Sequence, residues 1–146
     1  MTYKGKYTLK FPGKYTGDKD KIQYRSLWER QVFRWCEETS IIKYWNSETV
    51  IIPYICKTDS KAHRYFVDLK VVFENGKTFL IEIKPDKETK PPRKAKIITE
   101  AYVKSVLTYI KNQSKWEAAD KYAKERGWEF QVWTEKTLKN LGIKIL

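Results

Sequence analysis

Two acidic residues and one lysine form the most informative pattern in this chain of 146 residues. Asp68 is followed by an apolar run, a turn at Asn75-Gly76, and the triplet Glu82-Ile83-Lys84. Carboxylate oxygens suit Mg²⁺, which binds few protein ligands and completes its octahedron with water and phosphate. A cation held there would act as a Lewis acid and activate water, while a lysine would orient that water and stabilise charge on phosphorus. The pattern therefore indicates metal-dependent cleavage of a phosphodiester.

The alternation of side chains predicts how the two acids face each other. In the first strand the apolar face comprises Tyr65, Val67, Leu69, Val71 and Phe73. The ionisable face of the second strand comprises Thr78, Glu82 and Lys84. A two-residue turn would pair Asp68 with Ile83, and so would place charged residues opposite apolar residues on both faces. A three-residue loop with Gly76 left-handed pairs Leu69 with Ile81 and Asp68 with Glu82, unless a bulge elsewhere in the first strand gives an equivalent register.

Two directly opposed carboxylates, about 5 Å apart at Cβ, should repel each other. A divalent cation bound by Asp68, Glu82 and the main-chain carbonyl of Ile83 would remove that cost. The alternative is a surface hairpin with Glu82 and Lys84 as solvated charges, because Glu-x-Lys is common. An acid placed opposite, in an otherwise apolar strand, favours the catalytic interpretation.

A third acid, Glu29, lies in a predicted helix that runs from Ser26 to about Glu38. Ser26 is the expected N-cap, so Glu29 could simply close a capping box. At about 100° per residue, however, Glu29 falls on the apolar arc of the helix, opposite Arg30 and Arg34. We therefore predict that Glu29 is a catalytic residue and a metal ligand together with Asp68 and Glu82.

Composition restricts the possible chemistry and partners. Thirty Lys and Arg against 18 Asp and Glu give a net charge of +12, which favours salt-dependent binding to a polyanion such as a nucleic acid. Cys36, Cys56 and His63 are the only cysteines and histidine, too few to predict a structural zinc site or a Cys/His nucleophile. With no transmembrane stretch and no signal peptide, we expect a soluble, intracellular protein without a membrane partner.

The order of elements predicts one α/β domain over residues 1–146. A basic, irregular arm (Met1 to about Gln23) precedes the first helix, and a strand at Glu48–Tyr54 and the hairpin His63–Pro85 give three strands. Pro85–Lys96 is either a solvated loop or the wall of a substrate groove. The remaining elements are helices at Ala95–Lys111 and from a capping box at Ser114 to Arg126, a strand at Trp128–Thr134 and a short helix at Glu135–Leu141. The order αβββααβα indicates a mixed four-stranded sheet flanked by helices.

These residues resemble the PD-(D/E)xK nuclease superfamily, which includes restriction endonucleases and TnsA-type transposon endonucleases. Val67 stands where that motif usually has proline. Over nearly its full length the chain is similar to the head completion nucleases of tailed bacteriophages. The matching segments are Lys14–Asp18, Tyr24–Glu29, Trp45–Glu48, Arg64–Asp68, Ile81–Pro85, Pro91-Pro92, Asn112–Trp116 and Arg126–Trp128.

The resemblance implies a restriction-endonuclease-like core and a DNase that uses Mg²⁺, or Mn²⁺ in its place. It implies action on packaged DNA at head–tail joining, with phage head and neck proteins as partners, in the host cytoplasm or on the virion. Further DNA contacts are expected from Arg25, Lys87, Lys90, Arg93, Lys94, Gln113 and Lys115. The alternatives are a non-catalytic, basic adaptor of the phage neck and a transposon-end endonuclease of TnsA type.

Overall fold

The computed structural model describes residues 4–145, so the first three residues of the predicted arm lie outside it. Its strands are β1 (Gly5–Lys6), β2 (Gln23–Tyr24), β3 (Ile42–Asn46), β4 (Ile51–Cys56), β5 (Lys61–Phe66), β6 (Leu69–Phe73), β7 (Thr78–Ile83) and β8 (Glu129–Trp133). Its α-helices are α1 (Leu27–Glu38), α2 (Glu100–Glu125) and α3 (Glu135–Asn140). Short 3₁₀ turns occur at Pro12–Lys14 and Asp86–Thr89. None of these helices has the length and apolarity needed to cross a membrane.

The central sheet has four strands in the order β3-β6-β7-β8. Neighbours are antiparallel except β7 and β8, which are parallel because α2 connects them. This confirms the predicted α/β class with a mixed four-stranded sheet. One core lies between the sheet, α1, α3 and the N-terminal arm, and a second lies between the sheet, α2 and the hairpin β4–β5. The inner strand β7 is therefore covered on both faces.

The strands predicted before the Asn75-Gly76 turn were wrong in two places. The outer strand of the sheet is β3, whereas the segment predicted as Glu48–Tyr54 forms β4, which pairs with β5 in a separate two-stranded sheet. The predicted continuous strand breaks at Val67 and Asp68, because Val67 exchanges main-chain hydrogen bonds with Val50 and Glu48. Tyr65 and Val67 consequently pack in the second core, while Leu69 and Val71 pack in the first.

Beyond this break the predicted register is confirmed. Leu69 pairs with Ile81, and the Phe73 amide donates to the Lys77 carbonyl at 2.9 Å. Gly76 has a φ of +88°, which favours glycine, so the turn is the three-residue loop that the alternation required. The face of β7 that carries Thr78 and Glu82 also carries Leu80, which is fully buried in the second core.

The two helices predicted around Ser114 are one continuous helix, α2, with Thr99 as its N-cap. Ser114 does not cap a helix: its hydroxyl donates to the Ile110 carbonyl and accepts from the Lys57 amide. No glycine or proline interrupts this segment, and the tertiary contact with Lys57 satisfies the serine that signalled a helix start. The segment 95–99, predicted as helix, precedes α2 as an exposed connection.

The N-terminal arm packs on α1 through a buried carboxylate. Glu37 is 4% exposed and accepts hydrogen bonds from the Tyr7 hydroxyl at 2.5 Å and from the amides of Lys10 and Phe11, each at 2.8 Å. The Lys14 ammonium donates to three carbonyls at the C-terminal end of the helix. A cation there also complements the helix dipole. These contacts hold α1, and with it Glu29, against the sheet.

Replacing Tyr7 by phenylalanine should lower the free energy of unfolding by about 1–3 kcal/mol, because a buried carboxylate loses one of its donors. Tyr44→Phe is the matched control, since Tyr44 is 39% exposed. It should change stability by less than about 0.5 kcal/mol. Urea unfolding monitored by tryptophan fluorescence measures both, and equal losses in the two variants would contradict this account.

Candidate active site

Asp68 lies at the strand break, directly before β6. Its Oδ2 accepts a hydrogen bond from the Ile83 amide at 2.8 Å. The backbone ladder between β6 and β7 ends at Leu69 and Ile81, so the predicted backbone pairing of Asp68 with Glu82 is wrong. The Asp68 carboxylate instead accepts the hydrogen bond that a main-chain carbonyl of the neighbouring strand would otherwise accept, and it lies beside Glu82. Its other oxygen, Oδ1, accepts no hydrogen bond from residues 4–145.

Glu82 lies on β7 and is 6% exposed. Its Oε2 accepts a hydrogen bond from the Tyr65 hydroxyl at 2.5 Å, and its Oε1 lies 4.0 Å from the Lys84 ammonium. Burial, followed by the Glu82 charge, raises the pKa of Tyr65, so this phenol stays a donor. The alternation of side chains predicts only a core position for Tyr65. Its one functional signal was that a buried tyrosine hydroxyl needs a partner.

The carboxylates of Glu29, Asp68 and Glu82, here called the acidic triad, affect one another electrostatically. Burial, then the charges of Glu82 and Glu29, raise the pKa of Asp68 well above its ordinary value. Burial also raises the pKa of Glu29 to about 7, with smaller contributions from the charges of Glu48 and Glu82. The site therefore concentrates negative charge where water is largely excluded, which is costly without a cation.

Glu29 occupies the first turn of α1. Its amide donates to the Ser26 hydroxyl at 3.2 Å, and its own carboxylate lies 3.5 Å from that hydroxyl. The charge of Glu29 contributes to the raised pKa of Asp68, after burial and the charge of Glu82. However, Glu29, Asp68 and Glu82 do not each place a carboxylate oxygen within 4.8 Å of the other two. Glu29 could contact a shared cation through an intervening water.

The donor set suits a hard divalent cation. Asp68 and Glu82 each hold one oxygen in a hydrogen bond to the protein and leave Oδ1 and Oε1 available. Carboxylate and carbonyl oxygens with open positions for water are the coordination that Mg²⁺ prefers. The fixed oxygens orient the available ones, as hydrogen-bonded carboxylates do in metal sites.

Lysines border the triad on two sides. Lys84 comes directly after β7, and Lys115 reaches over from α2, with its ammonium 5.5 Å from the ring centroid of Tyr65. Burial lowers the pKa of Lys115, while the charges of Glu82 and Asp68 oppose that effect. Gln113 is on the same helix and half-buried. Arg25 forms an ion pair with Glu48 at 3.0 Å, before α1.

The remaining predicted DNA contacts lie on the segment that leaves β7. Lys87, Lys90, Arg93 and Lys94 are exposed there, and Lys90 pairs with Asp86 at 3.1 Å. This segment and the first half of α2 enclose a groove of about 480 Å³. The groove lining includes Lys87, Lys90, Pro92, Lys104 and Asn112. It extends along α2 to Asn112, one helical turn before Lys115.

Comparison with known proteins places this geometry in context. Residues 29–135, which include the whole triad, match the family described as TnsA-like endonuclease N terminal. The chain is also 43% identical over 148 residues to a head completion nuclease of Enterobacteria phage T4, and the match covers 99% of each protein.

The raised pKa of Glu29 gives the metal-free protein a testable pH dependence. The folded protein keeps a proton on Glu29 up to a pKa of about 7, whereas the ordinary value is 4.5. The free energy of unfolding should therefore fall as the pH rises between these values. Glu29→Gln should remove part of this fall and be more stable than the wild type at about pH 8, by about 1–3 kcal/mol.

Denaturant unfolding in the presence of a chelator, from about pH 4 to pH 8, measures this difference. Glu129→Gln, at an exposed position on β8, is the control and should follow the wild type. If Glu29→Gln shows the full wild-type pH dependence, the charge of Glu29 does not carry the cost assigned to it.

Proposed function

Since this chain belongs to the TnsA-like endonuclease family, we propose that it is a metal-dependent nuclease that hydrolyses phosphodiester bonds in DNA. The observation that carries this proposal is the pair of neighbouring carboxylates, Glu82 buried and Asp68 half-buried, each fixed through one oxygen, with Lys84 beside them. The similarity to a head completion nuclease supports action on packaged DNA during phage head completion. Phage head and neck proteins are then its partners, in the host cytoplasm during virion assembly.

In this proposal Asp68 Oδ1, Glu82 Oε1 and the Ile83 carbonyl hold Mg²⁺, for which Mn²⁺ can substitute. When bound, the ion supplies Lewis acidity and lowers the pKa of its water. The Ile83 amide and the Tyr65 hydroxyl hold the two carboxylates in orientation, so Tyr65 is a positioning residue. Lys84 orients the attacking water and stabilises the charge that develops on phosphorus. Glu29 accepts a hydrogen bond from a water in the site.

The substrate is assigned from charge and shape. With a net charge of +12, the protein attracts a polyanion over a long range. The exposed cations Lys87, Lys90, Arg93 and Lys94 lie on the segment that leaves β7, and Lys87 and Lys90 line the groove along α2. We assign them to phosphate contacts that position the DNA, since such contacts supply affinity and orientation without reading sequence.

A transposon-end endonuclease shares this chemistry, and the family match over residues 29–135 favours it as a second candidate. The two candidates differ in which DNA they cut. The similarity that spans 99% of both chains favours head completion. A basic adaptor without catalysis is disfavoured, because an adaptor gains nothing from placing Asp68 and Glu82 side by side against their mutual repulsion.

Asp68→Asn and Lys84→Gln should each reduce Mg²⁺-dependent DNA cleavage by at least about a hundredfold while leaving the fold intact, because each removes a charge that acts in the transition state. Asp120→Asn and Lys121→Gln on α2 are matched controls of the same chemical change. Cleavage of labelled duplex and single-stranded DNA, with circular dichroism to check folding, gives the result. Wild-type rates in both site variants would refute the nuclease assignment.

The triple variant Lys87→Gln, Arg93→Gln, Lys94→Gln should bind DNA more weakly and with less salt dependence. The slope of log K against log salt should decrease in magnitude by about 0.9 for each lost phosphate contact on a duplex. The control replaces Lys43, Lys121 and Lys139, on β3, α2 and α3, by glutamine. Fluorescence anisotropy at several salt concentrations gives the slope for each triple variant. Equal slopes would show that this segment does not contact DNA.

A further inference from the structure

The tip of the hairpin β4–β5 brings together three residues that lie outside the acidic triad. Cys56 ends β4, Asp59 is in the turn, and His63 is on β5. One ligand atom from each lies within 4.8 Å of the other two. Among residues 4–145 this is the one group of three or more Cys, His, Asp or Glu side chains with that property.

The hairpin itself builds this arrangement. Tyr54 pairs with His63 and Cys56 pairs with Lys61, so the side chains of Cys56 and His63 occupy the same face two residues apart along the ladder. Ser60 has a φ of +56°, and its amide donates to the Cys56 carbonyl at 2.7 Å, which closes the turn. That turn directs Asp59 back toward the same face.

Hydrogen bonds hold the three side chains in place. Asp59 Oδ1 accepts from the Lys61 amide at 2.9 Å, and Asp59 Oδ2 lies 2.8 Å from His63 Nε2. The Cys56 sulfur is 3.0 Å from the Thr58 hydroxyl, and the His63 ring stacks on Tyr54. Cys56 is 1% exposed, whereas the side chains of His63 and Asp59 are 36% and 38% exposed, so the group opens to solvent on one side.

We propose that Cys56, Asp59 and His63 bind Zn²⁺, with water as the fourth ligand. Tetrahedral Zn²⁺ with ordinary bond lengths separates its S, N and O ligands by about 3.3–3.6 Å, so the present group needs only small side-chain shifts. For the ion to bind, the Cys56 thiol gives its proton to solvent, and the hydrogen between His63 Nε2 and Asp59 moves to His63 Nδ1 or to solvent, which frees the Nε2 lone pair. Thiolate and imidazole select Zn²⁺ over Mg²⁺, which distinguishes this site from the oxygen-lined triad.

Position along the chain gives the site a structural consequence. His63 and Tyr65 lie on the same strand, and Tyr65 holds Glu82 through its hydroxyl. A zinc ion that ties the turn to both strands fixes the end of a hairpin that otherwise has no third strand. It thereby stabilises the strand that positions a carboxylate of the acidic triad.

The test uses full-length protein with Asp68→Asn and Glu82→Gln, so that the triad cannot bind the probe. Co²⁺ is titrated into reduced, chelator-treated protein, and Zn²⁺ is then added. We expect one equivalent of Co²⁺ to produce a thiolate-to-cobalt charge-transfer absorption that one equivalent of Zn²⁺ removes. Cys56→Ser should abolish this absorption, and Cys36→Ala, which changes the other buried cysteine, should keep it.

Asp59→Asn and His63→Gln test the remaining ligands at partly exposed positions, where folding is not at risk. Each should weaken Zn²⁺ binding by at least about tenfold. Absence of the charge-transfer absorption, its survival in Cys56→Ser, or unchanged Zn²⁺ affinity in both of these variants would overturn the proposal. None of these results depends on whether the protein cleaves DNA.

Discussion

The hydrogen bond from the Ile83 amide to Asp68 is the contact on which the rest of the site depends. A side-chain oxygen here satisfies a main-chain donor that a ladder carbonyl would otherwise satisfy. Because of this, the residues after Asp68 can pair with β7, while Val67, directly before it, forms main-chain hydrogen bonds with Val50 and Glu48 beside β4. The single break places an acid beside Glu82 and directs the preceding strand into a second core.

That second core explains why Glu82 is held so firmly. The hairpin β4–β5 packs under α2 and brings the Tyr65 hydroxyl to Glu82, while α2 itself brings Lys115. On the opposite side, α1 carries Glu29 and is fastened to the sheet by the arm and Glu37. The acidic triad is thus assembled from three packed units. Burial, and then repulsion among its members, raise the pKa of Asp68, and this is a local cost that the two cores must offset.

Much of this could be predicted from the sequence, because alternation and turn chemistry are local signals. The pairing of Leu69 with Ile81, the left-handed Gly76, Ser26 as N-cap of α1 and the closing elements β8 and α3 followed from them. Tertiary contacts decided the rest. Alternation could not show that Tyr65 and Leu69 face different cores, because the break arises from pairing with β4. Ser114 signalled a helix start, yet it lies inside the continuous helix α2. Its hydroxyl accepts a hydrogen bond from the Lys57 amide instead of capping a helix. Counting cysteines and histidines likewise gave no hint that Cys56, Asp59 and His63 meet at one turn.

The central claim is that Asp68 and Glu82, each fixed through one oxygen, hold a divalent cation between their remaining oxygens. Anomalous diffraction from crystals grown with Mn²⁺ tests this most directly. The account predicts an anomalous peak within coordination distance of Asp68 Oδ1 and Glu82 Oε1, with the bonds from the Ile83 amide and the Tyr65 hydroxyl retained, and no such peak in Asp68→Asn. Full occupancy of Mn²⁺ elsewhere with none at this position, or a peak here that persists in Asp68→Asn, would contradict it.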